Sequence, residues 1–330
     1  MVMTALLDVR ALSVSFGPGG ARRTIVDRID FSIGRGEIVA LVGESGSGKS
    51  ATALALSRLN EGPRCGYSGE IRLSGRNILA LDHPDLRRLR GRAIATIFQD
   101  PLSALNPSET IAQQIAEGMR AHGMAGPDAD DRITRLLGEV GIHDPDRVTR
   151  AYPHQISGGQ RQRVMIALAL ACDPELLIAD EPTTALDVTV QTQVLATLYR
   201  AVQKRGMSVL IITHDMGVVA GMADRVMVMY GGRIVESAPV ETLFALPRHP
   251  YTRALLDCAR HVRDASGHYA TIPGTAETAF ALRATQGCAF APRCRRARPA
   301  CFTHQPELAE CSDTGRVACH FPLVGSKIDG

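Results

Sequence analysis

Gly43-Glu44-Ser45-Gly46-Ser47-Gly48-Lys49-Ser50 decides the fold of this 330-residue chain. The stretch fits G-x-x-x-x-G-K-[ST], a loop whose backbone N–H groups turn inward on an anion. The apolar run Glu37-Ile38-Val39-Ala40-Leu41-Val42 before it reads as a buried strand. Ala51 to Leu56 after it continues as a helix, whose N-terminal dipole favours phosphate. In such a loop Lys49 reaches the β- and γ-phosphates and the Ser50 hydroxyl sits on Mg²⁺. Lysine is scarce here. Of 37 basic residues only Lys49, Lys204 and Lys327 are lysines, so a lysine at position 49 marks a place where arginine would not serve.

The composition narrows the possibilities further. Hydrophobic residues make up 45% of the chain, enough for a sizeable core, and the net charge of +3 gives no global signal for nucleic acid. The longest uncharged apolar run, Val164 to Cys172, falls far short of the roughly 18–20 residues a membrane span needs. The first residues have no signal-peptide layout, so the expectation is a soluble, cytoplasmic chain. Cys65, Cys172 and Cys258 are scattered, whereas Cys288, Cys294, Cys301, Cys311 and Cys319 crowd the end. In a cytosolic protein such crowding suggests metal before disulfide.

Ahead of the loop, residues 6–16, 24–26 and 29–33 read as strands of an antiparallel sheet. Phe16, at a strand end before a glycine turn, is suited to stack on a base. Residues 68–75 form a hairpin-like strand and turn, and 85–92 a charged helix. Ile94 to Phe98 is a buried strand with Gln99 at its C-terminal end, the end at which open α/β sheets bind ligands. Helical spacing over 107–122 and 129–140 predicts an inserted helical segment. Ser157-Gly158-Gly159-Gln160 opens a helix with no bulky side chain in the way. Leu176 to Ala179 is an apolar strand ending in Asp180 and Glu181, where a P-loop ATPase holds Mg²⁺ and polarises water. A helix over 189–204 follows. Ser208 to Thr213 is the next buried strand, with His214 at its end, so Gln99, Asp180 and His214 are expected on one sheet edge. Residues 225–236 form a hairpin around Gly231-Gly232.

In this order the motifs resemble the ATP-binding cassette of ABC transporters, over about residues 6–260. The resemblance implies an α/β fold of the ABC-type P-loop ATPase class, with a mixed sheet core, an antiparallel β subdomain and a helical insert at about 100–160. It implies that Phe16 stacks on adenine, that Gly43 to Ser50 is Walker A and that Gln99 is the Q-loop glutamine near Mg²⁺ and water. Ser157, Gly158, Gly159 and Gln160 are then the signature that serves the ATP of a neighbouring cassette. Asp180 is the Walker B aspartate, Glu181 the catalytic base, Asp187 a D-loop residue and His214 the switch histidine. Ser50, Gln99 and Asp180 would hold Mg²⁺. Ile156 stands where leucine is usual, a volume-conserving change. The stretches Phe98 to Pro107, Tyr152-Pro153-His154-Gln155, His249 to Leu256 and Ile272-Pro273-Gly274 resemble the peptide-import group, which moves dipeptides, oligopeptides or nickel. Thr275-Ala276-Glu277-Thr278 departs from its pattern, which continues with prolines.

The resemblance implies further chains: a second ABC ATPase subunit, two transmembrane permease subunits and, indirectly, an extracytoplasmic solute-binding protein. No nucleic acid is expected, and the place of work is the cytoplasmic face of the membrane. The competing readings are an importer of nickel or another small solute, and a soluble ABC ATPase acting on nucleic acid. Residues 1–260 are expected to form the nucleotide-binding domain and 261–330 a cysteine-rich extension. On chemistry alone its thiolates suit an Fe–S cluster or a structural Zn²⁺ equally. The resemblance implies a [4Fe-4S] cluster on Cys288, Cys294, Cys301 and Cys319, with Cys311 spare.

Overall fold

Apolar runs and glycine punctuation set the element order of the computed structural model, which describes residues 5–18, 22–124, 126–183, 187–263, 268–274, 287–311 and 315–324. The first part of the chain forms β1 (Ala5–Phe16), β2 (Arg23–Gly34), β3 (Ile38–Val42), α1 (Lys49–Leu56), β4 (Cys65–Leu73), β5 (Arg76–Asn77), α2 (His83–Leu89) and β6 (Ile94–Ile97). A helical stretch follows: α3 (Pro101–Ala104), α4 (Ile111–Ala121), α5 (Ala129–Glu139), α6 (Pro145–Arg150) and α7 (Gly158–Leu170). Then come β7 (Leu176–Asp180), α8 (Val188–Arg205), β8 (Ser208–Ile212), α9 (Met216–Met222), β9 (Arg225–Tyr230), β10 (Arg233–Pro239), α10 (Val240–Ala245) and α11 (Pro250–Ala259). The end of the chain holds α12 (Pro299–Thr303), β11 (Ala309–Glu310) and β12 (Arg316–Val317). Residues 184–186, beside the expected D-loop aspartate, and 275–278 lie outside the described residues.

The chain forms two compact units. One comprises Met1–Leu6, Ile33–Glu37 and Ala80–Ile212; the other comprises Leu7–Ser32, Ile38–Leu79 and Thr213–Gly330. In the first, β6, β7 and β8 run parallel, with Ile94 opposite Leu176 and Leu176 opposite Ser208. Every residue of β7 and β8 is buried, as a parallel strand covered on both faces requires. Helix α7 packs on β6 and α8, and α3, α4 and α5 pack on α7. Helical spacing begins at residue 107, yet α4 starts only at Ile111. Thr110 caps it, accepting from the Gln113 N–H while the Gln113 side chain accepts from the Thr110 N–H.

In the second unit β1 lies between β2 and β4, and β5 closes the far edge of this antiparallel sheet. The two runs expected at 24–26 and 29–33 form one strand, carried through Arg28 at φ 45°; its N–H is held by the Ser13 hydroxyl at 3.0 Å. Elsewhere in this unit β3 runs parallel to β9, β9 pairs antiparallel with β10, and β10 pairs antiparallel with β12. No helix among the described residues is long and apolar enough to cross a membrane.

Candidate functional site

In the second unit, the loop from β3 to α1 turns on residues that only glycine suits. Gly43 has φ 154° and Gly48 φ 109°. A Cβ on Gly43 would lie 2.2 Å from the Met229 carbonyl oxygen, and one on Gly48 would lie 2.9 Å from Met229 Cε and 3.2 Å from the Ile25 carbonyl oxygen. The tip of the β9–β10 hairpin props the loop, with the Gly232 N–H donating to the Ser47 carbonyl at 2.7 Å. Lys49 is buried, and its Nζ donates to the carbonyls of Gly43 and Glu44 at 2.8 and 2.9 Å. Ser47 Oγ is buried and has no hydrogen-bond partner among the described residues, the kind of atom a bound oxyanion satisfies. Ser45, Gly46 and Ser50 are exposed. Phe16 ends β1, half-buried and opposite Cys65. His214 is exposed in the turn between β8 and α9, whose first N–H groups are capped by Asp215.

In the first unit, Asp180 ends β7 and is 8% exposed. Glu181 follows at φ 46°, a left-handed conformation held by its N–H donating to the Ile212 carbonyl at 2.9 Å. Gln99, two residues past β6, donates through Nε2 to Glu181 Oε2 at 3.1 Å. Two adjacent parallel strands therefore bring the amide and the carboxylate together at their C-terminal ends. Ser157 caps α7 in a reciprocal pair with Gln160, and Gly158 and Gly159 form the first turn. Ile156 is buried, as the leucine it replaces would be.

A network that the sequence reading did not find supports the loop in the second unit. The Tyr251 hydroxyl accepts from the Glu44 N–H at 2.8 Å. His249 Nδ1 accepts from the Tyr251 N–H at 3.0 Å, capping α11. Glu236 accepts the N–H groups of Arg248 and His249 at 2.7 and 2.8 Å. Complete burial pushes the His249 imidazole down to about 3, so it is neutral, and burial pushes the Glu236 carboxyl up. Tyr230, Tyr251 and Phe290 pack with ring centroids 4.6–5.3 Å apart. The signal in the sequence was His249-Pro250-Tyr251 itself, a histidine at an N-cap position before a proline at the first helical turn.

Cys288, Cys294, Cys301 and Cys319 all line one cavity of about 20 Å³, together with Phe290 and His320. Burial raises the Cys288 and Cys294 thiols and pushes Cys319 up to about 11. Cys311 lies beside the β11–β12 turn, its N–H donating to the Gly315 carbonyl at 2.7 Å, and is not among the residues lining the cavity. Among the described residues no group of three or more His, Cys, Asp or Glu side chains is arranged to hold a metal ion.

A glycine-built phosphate loop between a buried strand and a helix, with an Asp-Glu strand end and a glutamine from the neighbouring strand, defines a P-loop ATPase of the ABC type. Comparison with known proteins agrees. The chain belongs to the ABC transporter family of ATP-binding subunits: residues 26–184 match the ABC transporter family model, and 235–301 match that of the oligopeptide/dipeptide transporter C-terminal region. It is 47% identical to a putative peptide import ATP-binding protein of Brucella abortus, over 92% of this chain and 91% of that one. It is 42% identical to the dipeptide transport ATP-binding protein DppD of Escherichia coli K12, over 97% of both chains. It is 48% identical to the oligopeptide transport ATP-binding protein OppD of Mycobacterium tuberculosis, over 96% of this chain and 52% of that longer one. Among solved structures, a dimeric ABC cassette in a post-hydrolysis state with ADP and Pi superposes with a TM-score of 0.63 at 26% identity, covering 71% of this chain and 98% of that one.

Proposed function

We propose that this chain is the ATP-hydrolysing subunit of an importer of dipeptides or oligopeptides. The observation that carries the reading is the pairing of an ABC cassette with an oligopeptide/dipeptide transporter C-terminal region in one chain, matched along most of its length by relatives named for peptide import. The chain works at the cytoplasmic face of the membrane, bound to permease subunits. A second cassette, identical or related, completes each ATP site through its own Ser-Gly-Gly-Gln signature. ATP closes the pair and hydrolysis reopens it, and differential contacts in the two states move the permease.

The roles of the side chains follow from their chemistry. Gly43 to Ser50 cradles the triphosphate, and the buried Ser47 hydroxyl and the Lys49 ammonium suit an anion. Phe16 stacks on the base. Glu181 is the general base that takes a proton from the attacking water, and Gln99, bonded to it, orients both. His214 meets the γ-phosphate. Ser50, Gln99 and Asp180 are the residues to hold Mg²⁺, which when bound offsets the phosphate charge. In the domain reading, 1–260 is the nucleotide-binding domain and 261–330 the cysteine-rich extension. Thiolates are donors that suit a [4Fe-4S] cluster or Zn²⁺, and Cys288, Cys294, Cys301 and Cys319 line one small cavity with Cys311 outside it, but these four are not arranged to hold a metal ion in this structure. Burial raises the Cys288, Cys294 and Cys319 thiols, so loading these three would release protons. Metal analysis and an absorption spectrum of anaerobically purified protein distinguish cluster, zinc and bare thiols.

The test of the function is purification of the tagged chain from cross-linked, detergent-solubilised membranes. Two multi-span proteins and a cassette partner are expected, with ATPase stimulated by peptide-loaded binding protein. Recovery only from the soluble fraction with nucleic acid would overturn the reading.

A further inference from the structure

The phosphate loop is gripped from the far end of the chain. Arg293 makes a two-pronged pair with Glu44, Nη1 at 2.6 Å from Oε2 and Nη2 at 3.0 Å from Oε1. The guanidinium is itself immobilised. Nε donates to the Pro273 carbonyl at 2.6 Å, Nη2 to the Ile272 and Gly274 carbonyls at 3.3 Å each, and Nη1 to the Tyr230 hydroxyl at 3.2 Å. Its side chain is 5% exposed, against 25% for that of Glu44. Arg293 lies on the single turn Ala291–Arg293, directly before Cys294 and five residues after Cys288.

Glu44 is thus fixed twice, by its carboxylate to Arg293 and by its N–H to Tyr251. Its carbonyl is also one of the two acceptors of Lys49. Moving Glu44 therefore moves the anchor of the lysine that meets phosphate. Arg293 further neutralises a carboxylate that would otherwise stand, partly buried, in the anion-binding loop. A loop held in one shape pays less ordering entropy on binding than a loop that is free.

We propose that Arg293 is a positioning residue for nucleotide: by clamping Glu44 it sets the shape of the phosphate loop, and through it the cysteine-rich segment governs ATP affinity. The inference rests on the reading of residues 43–50 as the ATP loop. Arg293 itself touches no phosphate. Its effect is carried through Glu44, which makes the two side chains thermodynamically coupled.

The experiment is a double-mutant cycle on the full chain, reading the dissociation constant of a fluorescent ATP analogue together with KM and kcat. R293M is expected to raise the dissociation constant about tenfold and E44Q about threefold, with the double variant no weaker than R293M alone. KM should follow the dissociation constant while kcat stays within about twofold, the signature of lost uniform binding. R293K keeps the charge but not the fork, and is expected to fall between wild type and R293M. An unchanged constant in R293M, or a double variant as weak as the product of the singles, overturns the inference. If R293M does not fold, R293K decides: an unchanged constant in folded R293K overturns it and a severalfold increase supports it. Failure of the wild-type chain to bind the analogue overturns the ATP reading and this inference with it. Binding by wild type with unaltered variants overturns the inference alone.

Discussion

Gln99 Nε2 stands 3.1 Å from Glu181 Oε2, so the amide that ends one parallel strand restrains the carboxylate that follows the next. A general base works only within reach of the proton it takes, and its removal costs about 10²–10⁴ in rate. E181Q should therefore lower steady-state phosphate release by about that factor while leaving equilibrium binding of a fluorescent ATP analogue within about threefold of wild type. Equal loss of binding and turnover would assign Glu181 a structural role.

Lys49 ties two loop carbonyls together, and on the proposed reading it carries the charge that meets phosphate. K49M should raise the dissociation constant for ATP by at least about tenfold, and K49R should not restore it, because the planar fork does not fit between the Gly43 and Glu44 carbonyls. Restoration by arginine, measured in the same titration, would show that charge alone matters there.

Gly48 turns the loop into α1 at φ 109° with Met229 and Ile25 close by. G48A places a Cβ where neither the backbone conformation nor the space suits it. The expected cost is about 1–3 kcal/mol of stability, read from the shift in denaturant midpoint at constant m-value. An unchanged midpoint would mean that the loop relaxes freely.

His249 is buried, capped onto α11 and pushed down to about 3, whereas in the unfolded chain it titrates near 6.5. Between these values the unfolded chain holds a proton that the folded one lacks. Stability is full above pH 6.5 and falls on acidification, by up to about 1.4 kcal/mol per pH unit from this group. Glu236, raised by burial, works the other way as the pH nears its own range, so the histidine slope is cleanest just below pH 6.5. H249N keeps an acceptor for the Tyr251 N–H and should flatten the fall in denaturation midpoint between pH 7 and 5.5. Parallel slopes in the two proteins would show that another group sets the acid limit.

Much of the nucleotide loop was legible because its causes are local. A buried strand, φ-positive glycines and a helix follow one another within a score of residues, and the same holds for the strand that ends in Asp180-Glu181. The sequence placed Gln99 and the Asp180-Glu181 pair at strand ends, but the hydrogen bond from Gln99 to Glu181 was not foreseen. The supports of the loop were not legible. Tyr251 and Arg293 meet Glu44 across 207 and 249 positions; His249-Pro250-Tyr251 signals a capped helix start, but nothing local to either residue names Glu44 as its partner. Arg293 in particular sits among cysteines, where its charge reads as compensation for thiolates. Only the fold turns that face of the segment toward the loop. Element ends were also misjudged where a capping side chain, such as Thr110, delays a helix that hydrophobic spacing alone would start earlier.

The clamp has a consequence in time as well as in space. A ribosome makes Glu44 207 residues before Tyr251 and 249 residues before Arg293. Until then the loop has its motif and lacks its supports. On the proposed reading, the loop's hold on ATP therefore tightens only once residue 293 has been made and has folded back onto Glu44.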